Sequence, residues 1–101
     1  KFPNYSKNIF SSYHLAILHI DFKKLKKKKD AFLKFMVQKK IILQYHYIPI
    51  YKFKIGSKFK SSLKNAEIYY KNTVSLPIHY NLSVKDQDRV IKEIKFFINR
   101  K

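Results

Sequence analysis

The apolar residues near the end of the chain recur at intervals of three or four, which is the spacing of one face of an α-helix. They are Val90, Ile91, Ile94, Phe97 and Ile98. Ser83, followed by Asp86 three positions later, matches a capping box at the start of this helix. Arg100 and Lys101 lie at its end, where positive charge complements the helix dipole. A helix with one apolar face needs another element to cover it, so this feature requires a layered fold.

Three apolar segments in the first half of the chain predict the covering elements. Residues 12–20 are apolar on both alternating faces, which predicts a strand buried on both sides. Residues 26–39 carry apolar side chains at helical offsets between lysines, which predicts an amphipathic helix. Residues 41–47 are β-branched and aromatic and predict a second strand, which ends before Pro49.

Shorter elements follow in the second half. Residues 52–64 carry several serines and lysines and predict a loop. Asn65 is placed to cap a short helix that ends at Asn72. Residues 73–76 predict a brief extended segment before Pro77. The predicted fold class is therefore α/β, an α+β sandwich in which helices cover a small sheet.

The charge of the chain allows two interpretations. The formal net charge is +17, which is typical of proteins that neutralise phosphates in nucleic acid. Lysine supplies every positive charge except those of Arg89 and Arg100, whereas arginine is the usual reader of phosphate and guanine. We therefore favour a coding bias towards lysine at tolerant surface positions. A small lysine-rich nucleic-acid-binding module stays open as the alternative.

Composition excludes several classes of protein. Because the chain has no cysteine, it has no disulfide scaffold and no thiolate metal site. The single glycine excludes a glycine-rich phosphate loop, and no histidine has another three or four positions away to form a helical metal pair. We predict no catalytic and no metal-binding residue in this chain. No apolar run approaches the ~18 residues of a membrane span and no signal peptide is visible, so we expect a cytoplasmic protein without membrane contact.

One segment, residues 44–51, is a candidate binding site. It places His46 and three tyrosines around a proline at the end of a predicted strand, where ligands of α/β folds often lie. Histidine and tyrosine offer hydrogen bonds together with flat stacking surfaces. The residue types fit equally well with aromatic side chains that pack a loop onto the core.

Four motifs in register give the chain a family resemblance. Residues 11–15 (SSYHL), residues 46–51 (HYIPIY), residues 65–78 with their NAE and SLPI strings, and residues 86–91 (DQDRVI) occur in the order that this family shows. The chain resembles the C-terminal subdomain of the DegT/DnrJ/EryC/StrS-type sugar-nucleotide aminotransferases, which are fold type I enzymes with pyridoxal phosphate. Its HYIPIY string is most similar to the UDP-4-amino-4,6-dideoxy-N-acetyl-β-L-altrosamine transaminases of pseudaminic acid synthesis.

The resemblance implies an organisation and a function. Residues 1–10 would be a connector from a missing large domain, and residues 11–101 the C-terminal small subdomain. The full-length parent would be a homodimer that transfers an amino group, from glutamate, to a 4-keto UDP-sugar. Pyridoxal phosphate would be bound outside this segment, because no lysine here stands in the family's Schiff-base context. The fragment alone would be inactive.

The resemblance also implies site residues. Those that face the substrate would be His46, Tyr47 and Tyr51, and those that shape the loop would be Ile48, Pro49 and Ile50. His14 matches a family position for which only a structural role is implied. The chain departs from the family at Lys40, where a glycine usually follows the helix, at Lys64, where proline is common, and at Asn81, where glycine is common.

Overall fold

The computed structural model describes residues 7–59 and 63–100. Its fold is a small α/β structure with a two-stranded sheet and three α-helices. The elements are β1 (Ala16–His19), α1 (Lys29–Gln38), two 3₁₀ helices (Ile50–Lys52 and Lys54–Phe59), α2 (Lys64–Asn72), β2 (Thr73–Leu76) and α3 (Val84–Asn99). Of the predicted connector, residues 1–6 lie outside the described part, as does Lys101 of the predicted dipole pair. No helix among the described residues is long and apolar enough to cross a membrane.

The sheet joins two distant parts of the chain. β1 and β2 pair antiparallel, with Ala16 opposite Leu76 and His19 opposite Thr73. The extended segment predicted at 73–76 is confirmed as β2. The prediction of a strand over residues 12–20, buried on both sides, is wrong in length and in burial. β1 has four residues, three of them half-buried and one exposed. The reason is that β1 has a single partner strand and lies at the sheet edge, and residues 12–14 before it are exposed.

The predicted strand at 41–47 forms only one bridge to the sheet. Gln44 and Ser75 exchange backbone hydrogen bonds of 3.1 Å and 2.6 Å. In the same antiparallel register the next pair would be Ile42 and Pro77, and proline has no N–H to donate. The chain bends at His46 on the other side of the bridge. The prediction of a second full strand is therefore wrong, although burial does alternate at its start, since Ile41 is buried in the core and Ile42 is exposed.

The core lies between α1 and α3. Its buried side chains are Ile20, Phe22, Phe32, Phe35, Met36, Ile41, Leu43, Val74, Val90, Ile94 and Phe97. The apolar face predicted for α3 is confirmed at three of its five positions, but Ile91 is exposed and Ile98 only partly buried. Ser83 caps this helix as predicted, because its Oγ accepts a 3.1 Å hydrogen bond from the backbone N–H of Asp86.

Two helix starts differ from the prediction. α1 begins at Lys29 rather than residue 26, because the chain first makes a turn in which Lys26 takes a left-handed conformation with φ of 53°. α2 begins at Lys64, so its capping position is Leu63, which makes no side-chain capping bond. Asn65 therefore lies inside the helix, past the position where its side chain could cap. The described part of the predicted loop at 52–64 is not irregular, because most of it forms 3₁₀ helix.

Lys40, which stands where the family usually has glycine, lies at the end of α1 in a left-handed conformation. Lys40 has a φ of 57°, in the left-handed region that glycine adopts without strain. The backbone N–H of Ile41 donates to the Met36 carbonyl at 2.9 Å, and that of Lys40 donates to the Val37 carbonyl at 2.8 Å. This is the Schellman arrangement, in which the left-handed position is usually glycine.

We expect Lys40→Gly to raise the free energy of unfolding by about 1 kcal/mol, because a side chain in the left-handed region costs roughly 1–2 kcal/mol. Urea unfolding followed by circular dichroism measures the change. Lys40→Ala is the matched control, since it removes the lysine side chain and keeps the Cβ. An equal gain from both variants would show that lysine charge, and not backbone strain, sets the effect.

Candidate functional site

A cavity of about 480 Å³ lies where β1, the bridge at Gln44 and the end of β2 converge. It is lined by His14, Leu15, Ile42, Gln44, His46, Ser75, Leu76, Pro77, Ile78 and His79. Three of these ten residues are histidines, and none is a lysine, an aspartate or a glutamate. The cavity therefore offers imidazole, hydroxyl and amide groups, which can donate hydrogen bonds, without a fixed negative charge.

His46 is held in this cavity by the sheet. Its Nδ1 lies 2.8 Å from the Oγ of Ser75, which is 5% exposed. The backbone bridge between Gln44 and Ser75 fixes the chain two residues before the imidazole. Ser75 of β2 therefore makes both contacts: its backbone pairs with Gln44, and its hydroxyl is hydrogen-bonded to the His46 ring. Together these contacts fix the position of the imidazole.

Tyr47 adjoins His46 but does not line the cavity. Its ring meets the imidazole edge-on, with centroids 4.7 Å apart and an angle of 88° between the planes. The side chain is 74% exposed. A flat aromatic face next to a cavity of hydrogen-bonding groups is a surface on which a ligand ring can stack.

Tyr51 belongs to a different cluster from His46. Its hydroxyl donates a 2.8 Å hydrogen bond to Oε2 of Glu67 on α2. Lys52 and Lys71 contact the other oxygen of that carboxylate at 3.0 Å and 3.3 Å. The Tyr51 hydrogen bond and then that of Lys52 lower the pKa of Glu67 to about 2. Desolvation, and then the Glu67 hydrogen bond, raise the pKa of Tyr51.

The residues predicted to shape the loop connect these two places. Ile48 and Pro49 are half-buried, whereas Ile50 is exposed and begins the first 3₁₀ helix. None of the three lines the cavity. The structure thus brings His46 and Tyr47 together and places Tyr51 against α2.

The depressed pKa of Glu67 predicts an acid dependence of stability. Since its pKa falls from 4.5 to about 2 on folding, the stabilisation is complete above pH 4.5 and is lost as the pH falls towards 2. We expect the difference in unfolding midpoint between the wild-type chain and Glu67→Gln to shrink across this range. Thermal unfolding of both chains at a series of pH values measures it, and a constant difference from pH 6 to pH 2.5 would contradict the prediction.

The sequence alone missed several lining residues. His14 was given only a structural role, and Ser75 and His79 were given none in binding. The three lining histidines are separated by more than 30 positions each, so no local spacing marks them. The one available signal is that each lies at or beside the end of a predicted strand.

The described residues do not fit pyridoxal phosphate. The cofactor needs a reactive lysine together with partners for its ring nitrogen and its phosphate, and the His46 cavity has no lysine. Burial lowers the pKa of the half-buried Lys29, against a smaller opposite effect of Asp30. Its Nζ, however, donates to the Tyr70 carbonyl at 2.6 Å and lies over the rings of Tyr45 and Tyr70. The described residues also contain no group of three side chains that could hold a metal ion.

Solved structures match this fold closely. Helicobacter pylori PseC, an aminotransferase involved in the biosynthesis of pseudoaminic acid, matches with a TM-score of 0.78 and 28% identity over 87% of this chain and 24% of that chain. The aminotransferase TlmJ from Streptoalloteichus hindustanus matches with a TM-score of 0.77 and 24% identity, over 93% of this chain and 24% of its own, and this likeness supports the fold. These matches confirm the predicted fold class.

Sequence comparison extends the likeness. The uncharacterized protein MJ1066 of Methanocaldococcus jannaschii is 28% identical over 102 aligned residues, which cover 96% of this chain and 26% of MJ1066. The chain thus spans about a quarter of the length of the relatives it matches. Residues 2–95 match the profile of the DegT/DnrJ/EryC1/StrS aminotransferase family. Because this match covers most of the chain, the predicted resemblance is confirmed, and the chain belongs to the DegT/DnrJ/EryC1/StrS aminotransferase family.

Proposed function

We propose that this chain is the C-terminal small subdomain of a pyridoxal-phosphate-dependent sugar-nucleotide aminotransferase, and that the His46 cavity is part of its substrate site. Residues 11–101 would form the subdomain and residues 1–10 the connector. The whole enzyme would transfer an amino group from glutamate to a 4-keto UDP-sugar. The family match and the likeness to PseC, at 28% identity, support this proposal and favour a substrate of pseudaminic acid synthesis.

The observation that carries the proposal is the chemistry of the cavity. A sugar nucleotide presents hydroxyl, carbonyl and phosphate oxygens, which accept hydrogen bonds, and its phosphates carry negative charge. The His46 cavity presents imidazole and side-chain amide groups that can donate to such oxygens, and it has no carboxylate. Its volume of about 480 Å³ lies in the usual range of small-molecule sites, which is roughly 300–1,000 Å³.

The neighbouring side chains fit the same role. Tyr47 would stack its exposed ring on a ring of the substrate, next to the imidazole of His46. Tyr51 would act from the far end of the loop, where Glu67 holds its hydroxyl. The loop between them would fix the distance from the His46 cavity to Tyr51, through Ile48, Pro49 and Ile50.

The cofactor would be held elsewhere in the parent. Since the described residues do not fit pyridoxal phosphate, this segment would supply substrate contacts and no catalytic residue, and it would be inactive by itself. The parent would be a cytoplasmic homodimer that binds a UDP-sugar and an amino donor.

A titration with UDP-N-acetylglucosamine tests the substrate site. The ¹⁵N-labelled 101-residue chain is followed by two-dimensional NMR as the probe is added. We expect weak binding, with a Kd on the order of 1 mM, which corresponds to about −4 kcal/mol. The shifted resonances would belong to residues around His46, Ser75 and His79. His46→Ala would weaken binding, whereas the matched control His19→Ala, on β1 outside the lining, would leave it unchanged.

The same titration separates the two function classes. If shifts instead spread over the exposed lysines and disappear between 50 mM and 200 mM salt, binding is by charge alone and the substrate-site proposal is wrong. A single-stranded oligonucleotide added in parallel measures the nucleic-acid alternative directly. Oligonucleotide binding that survives 200 mM salt would favour a nucleic-acid-binding role for this segment over the proposed sugar-nucleotide site.

A further inference from the structure

The hydroxyl of Ser75 is buried and has one hydrogen-bond partner among the described residues, the imidazole of His46. Ser75 is 5% exposed, and its backbone groups are engaged with Gln44. Within the described part of the chain, the Oγ makes a single hydrogen bond, to Nδ1 of His46 at 2.8 Å. A buried hydroxyl proton without an acceptor is unfavourable, because the group has lost its bonds to water.

This arrangement decides where the proton of a neutral His46 lies. Nδ1 can accept from the Ser75 hydroxyl only when the ring carries its proton on Nε2. In the other tautomer Nδ1–H would donate to Oγ, and the buried Ser75 proton would have no acceptor among the described residues. With the proton on Nε2, both Nδ1 of His46 and the hydroxyl proton of Ser75 have a partner. With the proton on Nδ1, the Ser75 proton has none among the described residues.

The ring is also restrained on its other side. The Tyr47 ring packs edge-on against the imidazole of His46, with centroids 4.7 Å apart. A half-turn of the imidazole would exchange Nδ1 for a carbon and break the bond to Ser75. Nε2 makes no hydrogen bond within the described residues, and His46 lines the cavity. The free N–H is thus available to a bound molecule.

We propose that Ser75 is a positioning residue that holds neutral His46 as the Nε2–H tautomer, so that the cavity receives a hydrogen-bond donor. The group that His46 recognises is then an acceptor oxygen, such as a carbonyl, hydroxyl or phosphate oxygen, and not an N–H donor. This last statement rests on the proposed function, since it concerns the substrate of the same site. The tautomer itself is a property of the free chain.

Long-range ¹⁵N–¹H NMR of the imidazole tests the assignment without any ligand. The spectra are recorded at high pH on the neutral imidazole, whose two ring nitrogens give distinct signals for each tautomer. We expect His46 of the wild-type chain to show the Nε2–H form alone. Ser75→Ala is expected to lose this single form and to show both tautomers.

Two further variants complete the test. Ser75→Thr keeps the hydroxyl and is expected to restore the single tautomer. Thr73→Val removes another buried hydroxyl of β2, which donates to the Tyr69 carbonyl, and is expected to leave His46 unchanged. A wild-type spectrum with the Nδ1–H form or a mixture overturns the proposal, as does a Ser75→Ala spectrum identical to the wild type. The wild-type spectrum alone can overturn the proposal, so the test remains valid even if a variant fails to fold.

The outcome is independent of substrate binding. If the tautomer is as proposed and UDP-N-acetylglucosamine does not bind, the substrate-site proposal fails and the role of Ser75 stands. If the probe binds and His46 shows the Nδ1–H form, the role of Ser75 fails and the site stands.

Discussion

Replacement of Phe32 by alanine is expected to lower the free energy of unfolding by about 3–5 kcal/mol. Phe32 is 0% exposed, and its ring packs against Phe22 at 5.7 Å and Phe97 at 5.0 Å between centroids. It thus joins the turn before α1 to the face of α3. Because natural domains have only about 5–15 kcal/mol of stability, this loss removes a large fraction of the total.

Urea unfolding measures the effect, with Phe10→Ala as the matched control. Phe10 is 95% exposed, so its truncation is expected to change stability by less than about 0.5 kcal/mol. Similar losses from the two variants would contradict a core centred between α1 and α3.

Replacement of Gly56 by alanine is expected to disrupt the segment that follows the candidate site. A Cβ added at Gly56 would lie 2.5 Å from the carbonyl carbon of Ile50 and closer still to its oxygen. These are backbone atoms, so a side-chain rotation cannot relieve the contact. We expect a loss of about 1–3 kcal/mol together with opening of the 3₁₀ helices.

Hydrogen exchange at the Phe53 and Gly56 amides reports this opening, because both donate to backbone carbonyls within the segment. Lys58→Ala is the control, because Lys58 lies in the same 3₁₀ helix and its side chain is exposed. In this variant the Phe53 and Gly56 amides are expected to stay protected from exchange. Unchanged exchange in Gly56→Ala would show that the segment can move away from Ile50 at little cost. The only glycine of the chain would then have no packing role.

The elements that local sequence determines were predicted well. α3 carries its own apolar period and its own cap at Ser83, so both appear in the sequence without knowledge of the partner. The strand at 41–47 failed for a non-local reason. Whether it pairs depends on Pro77, at least 30 positions away, which has no backbone N–H to donate to a neighbouring strand.

The candidate site shows the same division. His46, which lines the cavity, was predicted as a site residue because it belongs to a distinctive aromatic segment around a proline. His14, Ser75 and His79 were missed in this role, because their proximity to His46 is created by the pairing of β1, β2 and the bridge at Gln44. The substrate-facing role proposed for Tyr51 comes from the family string, whereas its hydrogen bond to Glu67 depends on the position of α2.

In the proposed role, this segment would contribute substrate contacts to an aminotransferase and hold no cofactor site. The most direct measurement incubates the 101-residue chain with equimolar pyridoxal phosphate, reduces it with borohydride and maps the modified lysines by mass spectrometry. We expect low modification, scattered over exposed lysines. Stoichiometric modification of a single lysine, with Lys29 the first position to inspect because burial lowers its pKa, would contradict it.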